Sequence, residues 1–390
     1  MMQCRLFAGG FRPTFLAAGI AALLLVPAWV AILVFGAPLA SGWPPTLWHA
    51  HEMLFGFVAA AIAGFLLTAV PSWTGRGGFA GLPLVILMAL WLCARILIAS
   101  SAAWPAAVVF VVDVAFLLML AALVAPPLLR ERSRNTPLLL VLGLLALCNG
   151  VFHRALAHHD PVTASHALLM GIDITLLLVT VIGGRILPAF TASALRAGGS
   201  DKTVRAWPRV GAAAIAAMVM ITVVDLLWPD SRGAGVLAGV AAAIQTVRLL
   251  QWRSPATLKY PILWVLHLGY AWLPLGLALK CIALLWGFAT SVFWLHALTV
   301  GVLATMILGV MTRVALGHTG RPLVVDPLIA LAYILLLLAG LMRVFGFGVV
   351  GLNYPTVIVI SACLWTTAFA LFLYVYVPIL WSPRADGKSG

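Results

Sequence analysis

Charge is what this chain has least of. Only 8% of its 390 residues are Asp, Glu, Lys or Arg, and the acids number just 10. A soluble protein is about a quarter charged. That deficit excludes a water-soluble globular enzyme and an intrinsically disordered chain, which depends on charge to stay solvated. Cysteine is scarce as well. Cys4, Cys93, Cys148, Cys281 and Cys363 are scattered, with no CxxC pair among them. This excludes a disulfide scaffold and leaves the cysteines as apolar, inert thiols. A cleavable leader is not expected, since the first apolar run continues for about 20 residues without a small-residue cleavage site.

What is present is apolar. Hydrophobic residues make up 64% of the chain and the mean hydropathy is +1.14. At about 20 apolar residues per span plus a short connection, this length holds roughly 12 transmembrane helices and little else. The chain reads as an all-α integral membrane protein forming a single membrane domain over 1–390. Spans are expected at 13–36, 48–70, 81–99, 103–125, 137–156, 163–187, 208–228, 233–250, 260–285, 291–312, 325–347 and 356–381.

The net charge of +13 reports topology, not nucleic-acid binding. With the N-terminus, the even connections and the C-terminus on one side, the other side keeps only Arg154, Arg232 and Arg343. Arg95 and Lys280 fall inside spans near that second side, and every other Lys and Arg, Lys202 and Lys388 included, lies on the first. This is the positive-inside pattern, and it predicts a multi-pass protein with both termini cytoplasmic. Arg12, Arg76, Arg185, Arg313 and Arg321 then anchor helix ends on the cytoplasmic side.

Three segments resemble one another. His51–Gly56–Thr74–Gly75–Arg76 and His296–Gly301–Thr319–Gly320–Arg321 both follow H-x4-G-x17-T-G-R, and His166–Gly171 repeats the first part. Starts at 51, 166 and 296 leave room for four spans in each interval. This predicts three copies of a four-helix unit, at about 1–130, 131–254 and 255–390. Spans two, six and ten would then run inwards, with their histidines in the outer third of the bilayer around a pseudo-threefold axis.

Ionisable groups within a membrane are costly and tend to be functional. The candidate ligands are His49, His51, His166 and His296, with His267 next and deeper. Glu52, beside His51, and Asp173, seven residues after His166, are candidate proton-handling or catalytic groups. His49 and His51 point in nearly opposite directions on a helix, so they cannot easily chelate one ion together. His153 ends the fifth span on the same side, and His158, His159 and Asp160 follow it in a loop. Each histidine could also serve only as a hydrogen-bonding group between helices. Imidazoles with few acids suit haem iron or copper more than calcium or magnesium. Without CxxCH, any haem would be held non-covalently.

Gly10–Leu16 (GFRPTFL), WHAHEMLFGF from Trp48, AGFLLTAVPSWTGR from Ala63, GRILPAFT from Gly184 and MTRVALGHTGRPL from Met311 together resemble the NnrS family. The likeness covers nearly the whole chain. It implies a bacterial inner-membrane protein that contains haem b and copper and is linked to nitric oxide tolerance and denitrification. It carries metal ligation onto His49 and His51, and onto His166 and His296. Binding or reduction of nitric oxide, by an oxidoreductase drawing on quinol or another donor, is the activity it implies. The partners expected are nitric oxide and membrane lipid, with no nucleic acid. The helix numbers of the repeat also match haem-copper oxidase core subunits, an analogy of architecture alone. The adjacent-histidine pair expected after the sixth helix of that group is absent. Two alternatives stay open: a metal or small-solute transporter, for which Asp113, Asp173 and Asp225 could line a path, and a haem-based sensor or assembly factor without turnover.

Overall fold

The computed structural model describes residues 5–199, 203–287 and 291–387. Cys4, Lys202 and Lys388 lie outside them. The described chain is all-helical, and twelve helices are long and apolar enough to cross a membrane: α1 Phe11–Leu33, α2 Pro45–Thr74, α3 Leu82–Ala99, α4 Ala106–Arg130, α5 Leu138–Ala157, α6 Pro161–Ala197, α7 Pro208–Leu227, α8 Arg232–Leu250, α9 Pro261–Trp286, α10 Phe293–His318, α11 Pro327–Phe345 and α12 Tyr354–Trp381. Count and order match the expectation from the sequence, so the chain is a multi-pass membrane protein. The largest boundary difference is α6, which continues to Ala197 instead of 187. Its 37 residues span about 55 Å, well beyond a hydrocarbon core of about 30 Å. The extension carries Arg196, which can lie in water.

Proline sets several of the starts. Pro45, Pro208, Pro261 and Pro327 occupy the first helical turn of α2, α7, α9 and α11, where the missing N–H is not needed. Two helices depart from α geometry inside the membrane. In α2, residues Glu52–Val58 form a π-helix directly after His51. In α10, Ala297–Ala304 do so directly after His296. The two segments that share the H-x4-G spacing therefore share a local backbone form. The third histidine, His166, sits in a helix that stays α throughout.

The chain divides into two compact units. The first comprises Met1–Gly171, Met311–Leu323 and Phe369–Gly390, and the second Ile172–Val310 and Val324–Ala368. In the first unit, α2 is the most buried helix. Glycine lets α1 reach it: a Cβ on Gly64 would fall 2.4 Å from Thr14 and Phe15, and one on Gly10 would fall 2.3 Å from Leu67. At the basic end, fully buried Arg12 donates from Nη1 to the carbonyls of Leu380 (2.8 Å) and Ser382 (2.7 Å). One guanidinium thus satisfies carbonyls that the end of α12 would leave orphaned.

In the second unit, α9 and α10 pack through interleaved glycines. Gly276 meets Leu298 and Gly309 meets Leu266, each at under 3 Å from a notional Cβ, and a Cβ on Gly301 would fall 2.4 Å from the Trp272 ring. Small residues at such a crossing let backbones approach and gain dispersion contact, which drives association where lipid supplies no hydrophobic force. A buried polar node ties α6, α8 and α9. Arg248 donates to the Thr180 carbonyl (2.8 Å) and to the Tyr270 hydroxyl (3.1 Å), and Tyr270 donates to Gln245 (2.6 Å).

These contacts set opposite outcomes for one change. Gly301→Ala drives a methyl into Trp272 and should destabilise by about 1–3 kcal/mol. Gly143→Ala, on the open face of α5 where a Cβ meets nothing within 4 Å, should be neutral or stabilising by up to about 1 kcal/mol. Thermal unfolding of both variants in detergent measures the contrast, and equal melting points would contradict this packing.

A candidate metal centre

Four helices of the first unit bring polar side chains to one place. α2 supplies His51 and Glu52, where its backbone turns from α to π. α3 supplies Arg95 and α4 supplies Asp113. Asn149 and His153, one turn apart, come from α5. His51 is fully buried, and Glu52, Asp113, Asn149 and His153 are all buried with it.

Asp113 is the hub. Its Oδ2 accepts from Asn149 Nδ2 at 2.7 Å and faces the Nε2 atoms of His153 at 3.0 Å and His51 at 3.1 Å. Its Oδ1 pairs with Arg95 Nη2. The other arm of Arg95, Nη1, donates to Glu52 Oε1 at 2.9 Å, and His51 Nδ1 meets that same oxygen at 3.2 Å. Arginine suits the position because its planar fork holds two carboxylates at once. The π segment takes part directly: a Cβ on Gly56 would fall 2.8 Å from Arg95, and the Gly56 carbonyl accepts from Trp91 Nε1 at 2.9 Å.

Aromatic rings enclose the cluster. Trp43 lies edge-on to His51 (5.1 Å between centroids) and to His153 (5.3 Å), with Phe152 4.6 Å from His51 and Phe110 5.8 Å from His153. In such surroundings charge must balance locally. Two carboxylates face one guanidinium. The balance can be met by a proton, on an imidazole or a carboxyl group, or by a metal cation.

The donor set fits a metal. Ligand atoms of His51, Asp113 and His153 lie within 4.8 Å of one another, and no other three His, Cys, Asp or Glu side chains converge this way among the described residues. The Nε2 atoms of His153 and His51 lie 3.0 and 3.1 Å from Asp113 Oδ2, near enough for one ion with bonds of about 2.0–2.1 Å to replace the shared protons. Two imidazoles and one carboxylate suit copper, iron or zinc. The surrounding bonds supply the support that metal ligands require: Glu52 turns the His51 ring, and Arg95 with Asn149 fixes Asp113. The same set does not suit a porphyrin iron, because both ring nitrogens of His51 face protein carboxylates.

The other expected residues lie elsewhere. His49 is half-buried and stacks on Trp29, with centroids 4.6 Å apart and planes 11° apart. His166 is exposed near Asp160. Asp160 receives the Thr163 N–H at 3.0 Å at the start of α6, and its bonds with Thr163 hold its carboxyl below the usual carboxylate range. In the second unit, His296 is half-buried at its α-to-π junction. His267 is buried with both nitrogens in use, Nε2 with the Thr191 hydroxyl and Nδ1 with that of Ser254, each at 2.8 Å. Asp173 is buried in that unit, with Asp225 and Lys280 the charged groups acting on it.

Of the expected set, the first unit therefore joins His51 and Glu52, and it adds four partners that sequence reasoning did not assign. A signal for two of them was present. Arg95 and Asp113 flank the short α3–α4 connection, so the hairpin holds them at similar depth, an opposite-charge pair inside two spans.

Asp113→Ala should lower stability by about 3–5 kcal/mol, because Arg95 is left without its carboxylate in a buried site. Asp113→Asn keeps the shape and should cost less. Melting curves of the two variants in lipid nanodiscs rank them, and a neutral Asp113→Ala would contradict the hub role.

No curated protein matches the chain. A family model described as NnrS protein matches residues 5–384, nearly the full length. It covers all twelve helices and every member of the buried cluster, and the chain belongs to the NnrS family.

Proposed function

We propose that this protein binds or reduces nitric oxide at a metal ion, copper foremost, held by His51, Asp113 and His153, and so supports nitric oxide tolerance or denitrification. The observation that carries this reading is the buried His–Asp–His group, closed in by aromatic rings in the most buried part of the first unit. Family membership fits a nitric oxide-related role. Nitric oxide is small and apolar, so it reaches such a site through lipid without a polar channel.

The bound metal would supply the redox chemistry and the coordination of nitric oxide. The chain's own residues do the rest. Glu52 orients His51 through Nδ1, and Arg95 locks Glu52 and Asp113 together. Trp43, Phe110 and Phe152 exclude water. Glu52 Oε1, already shared between Arg95 and His51, is the oxygen placed to hold or pass a proton. Turnover would draw electrons from quinol or another donor. Haem b is the second cofactor we propose, on family grounds, with no ligand fixed among the expected histidines.

Purified wild-type protein should contain about one non-haem transition-metal ion per chain, with His51→Ala and His153→Ala each losing most of it. Affinity should fall as pH falls, because the ligands must shed protons to bind. Undiminished metal in both variants would overturn the assignment. An anaerobic nitric oxide electrode then separates the roles: uptake of a single equivalent means binding, and sustained loss with a reductant means reduction. A pyridine haemochrome spectrum tests haem independently.

We further propose an inner-membrane location with both termini cytoplasmic, on the basis of the Lys/Arg asymmetry. Reporter fusions that are active only in the cytoplasm should work at both ends of the chain. A silent fusion at either end would contradict this orientation.

A further inference from the structure

A second buried charge cluster lies in the second unit, and the metal reading makes no use of it. Asp173 of α6, Asp225 of α7 and Lys280 of α9 are 5%, 9% and 4% exposed. Lys280 Nζ pairs with Asp225 Oδ2 and sits 4.8 Å above the Trp294 ring. Asp173 is the third member of this buried group, and Asp225 and Lys280 are the charged groups acting on it.

The charges do not cancel. Two carboxylates share one ammonium, and the ring beside Lys280 is an indole, which carries no charge. Two carboxylates only accept, so neighbouring carboxyl groups can bond each other only through a proton on one of them. Like charges in contact in a dry site cannot both persist at ordinary cost. Asp225 already has Lys280, so the proton belongs on Asp173.

We propose that Asp173, Asp225 and Lys280 form an intramembrane proton-binding site that loads and releases a single proton. Loading places a proton from water on an Asp173 carboxylate oxygen, from which it bonds Asp225 while the Asp225–Lys280 pair stays ionised. Release returns that proton to water and leaves the cluster with a net negative charge. Access to water is short. Asp225 is in the last turn of α7, which ends at Leu227, and Lys280 is within two turns of the end of α9 at Trp286. Lysine is the right cation for this arrangement. Its point charge engages one carboxylate and leaves the second to a proton, where an arginine fork would neutralise part of both. The inference stands apart from the metal site and survives if that site proves empty of metal.

Infrared spectra of the intact protein in lipid nanodiscs, recorded in H2O and in D2O, test it. At neutral pH the wild type should show a carboxylic-acid C=O stretch that shifts down in D2O. The band should vanish in Asp173→Asn, which leaves the Asp225–Lys280 pair, and in Asp225→Asn, where Lys280 can ionise Asp173. In Lys280→Met, which removes the countercharge, its area should about double. If Lys280→Met does not fold, the two Asp variants decide the matter. A flat difference spectrum between wild type and Asp173→Asn would overturn the proposal. So would a band that sodium removes and choline restores, since the cluster would then hold a metal cation in place of the proton.

Discussion

An ionised side chain within a bilayer has no water to answer it, so every buried charge must find its counterpart within hydrogen-bond reach. In the first unit that requirement falls on Asp113. Its two oxygens gather Arg95, Asn149, His51 and His153 from three other helices. Rotating α3, α4 or α5 about its axis would break at least one of these bonds and strand a charge or a polar group in hydrocarbon. The hydrophobic effect, which orients helices in water, gives little such guidance between helices in lipid. Charge pairing at Asp113 therefore sets the rotation of the helices, and glycine contacts such as Gly64 against Phe15 set how closely they approach.

The π segment of α2 solves a problem of reach. Neighbouring residues on a regular helix point about 100° apart, and His51 with Glu52 would ordinarily serve different surroundings. Here the backbone widens at Glu52, and the two side chains meet through Nδ1 and Oε1 while both reach the Arg95–Asp113 group. Widening also disturbs the helical hydrogen-bond ladder, and Trp91 donates to the Gly56 carbonyl inside that segment. Such bulges are frequent at functional sites. The other π segment follows His296 in the same way and sets Gly301 against Trp272. Two segments with the same spacing of His and Gly thus share a backbone irregularity that no hydropathy profile carries.

The twelve spans were legible because each is a continuous apolar run, which any window average detects. His51 and Glu52 were legible because charge-bearing groups stand out against such a run. Their partners were harder to assign. Asp113 looked like one scattered acid among several, and Arg95 like a positive charge near a membrane face, because composition is blind to which way a helix is turned. His267 shows the opposite limit. Its depth suggested a ligand, yet hydroxyls from Thr191 and Ser254 occupy both nitrogens, and serine and threonine are too common in spans to signal that role. His166 shares a spacing with His51, but one is exposed and the other fully buried. Spacing fixes position along a helix and leaves its surroundings to tertiary packing.

The two buried clusters share an arithmetic and differ in their cation. Each has two carboxylates and one permanent positive charge. In the first unit the cation is arginine, which grips Glu52 and Asp113 together and leaves the shortfall of charge beside two imidazoles. Imidazole nitrogens are good ligands for soft and borderline metals, so that shortfall is suited to a metal ion. In the second unit the cation is lysine, committed to Asp225, and the charged groups acting on Asp173 are Asp225 and Lys280. Carboxylates alone in a dry, crowded site are poor hosts for a hydrated cation, and a proton is the smallest charge that can settle there. The same electrostatic demand therefore favours metal in one place and a proton in the other, and the difference comes from the shape of one basic side chain and the presence of two histidines.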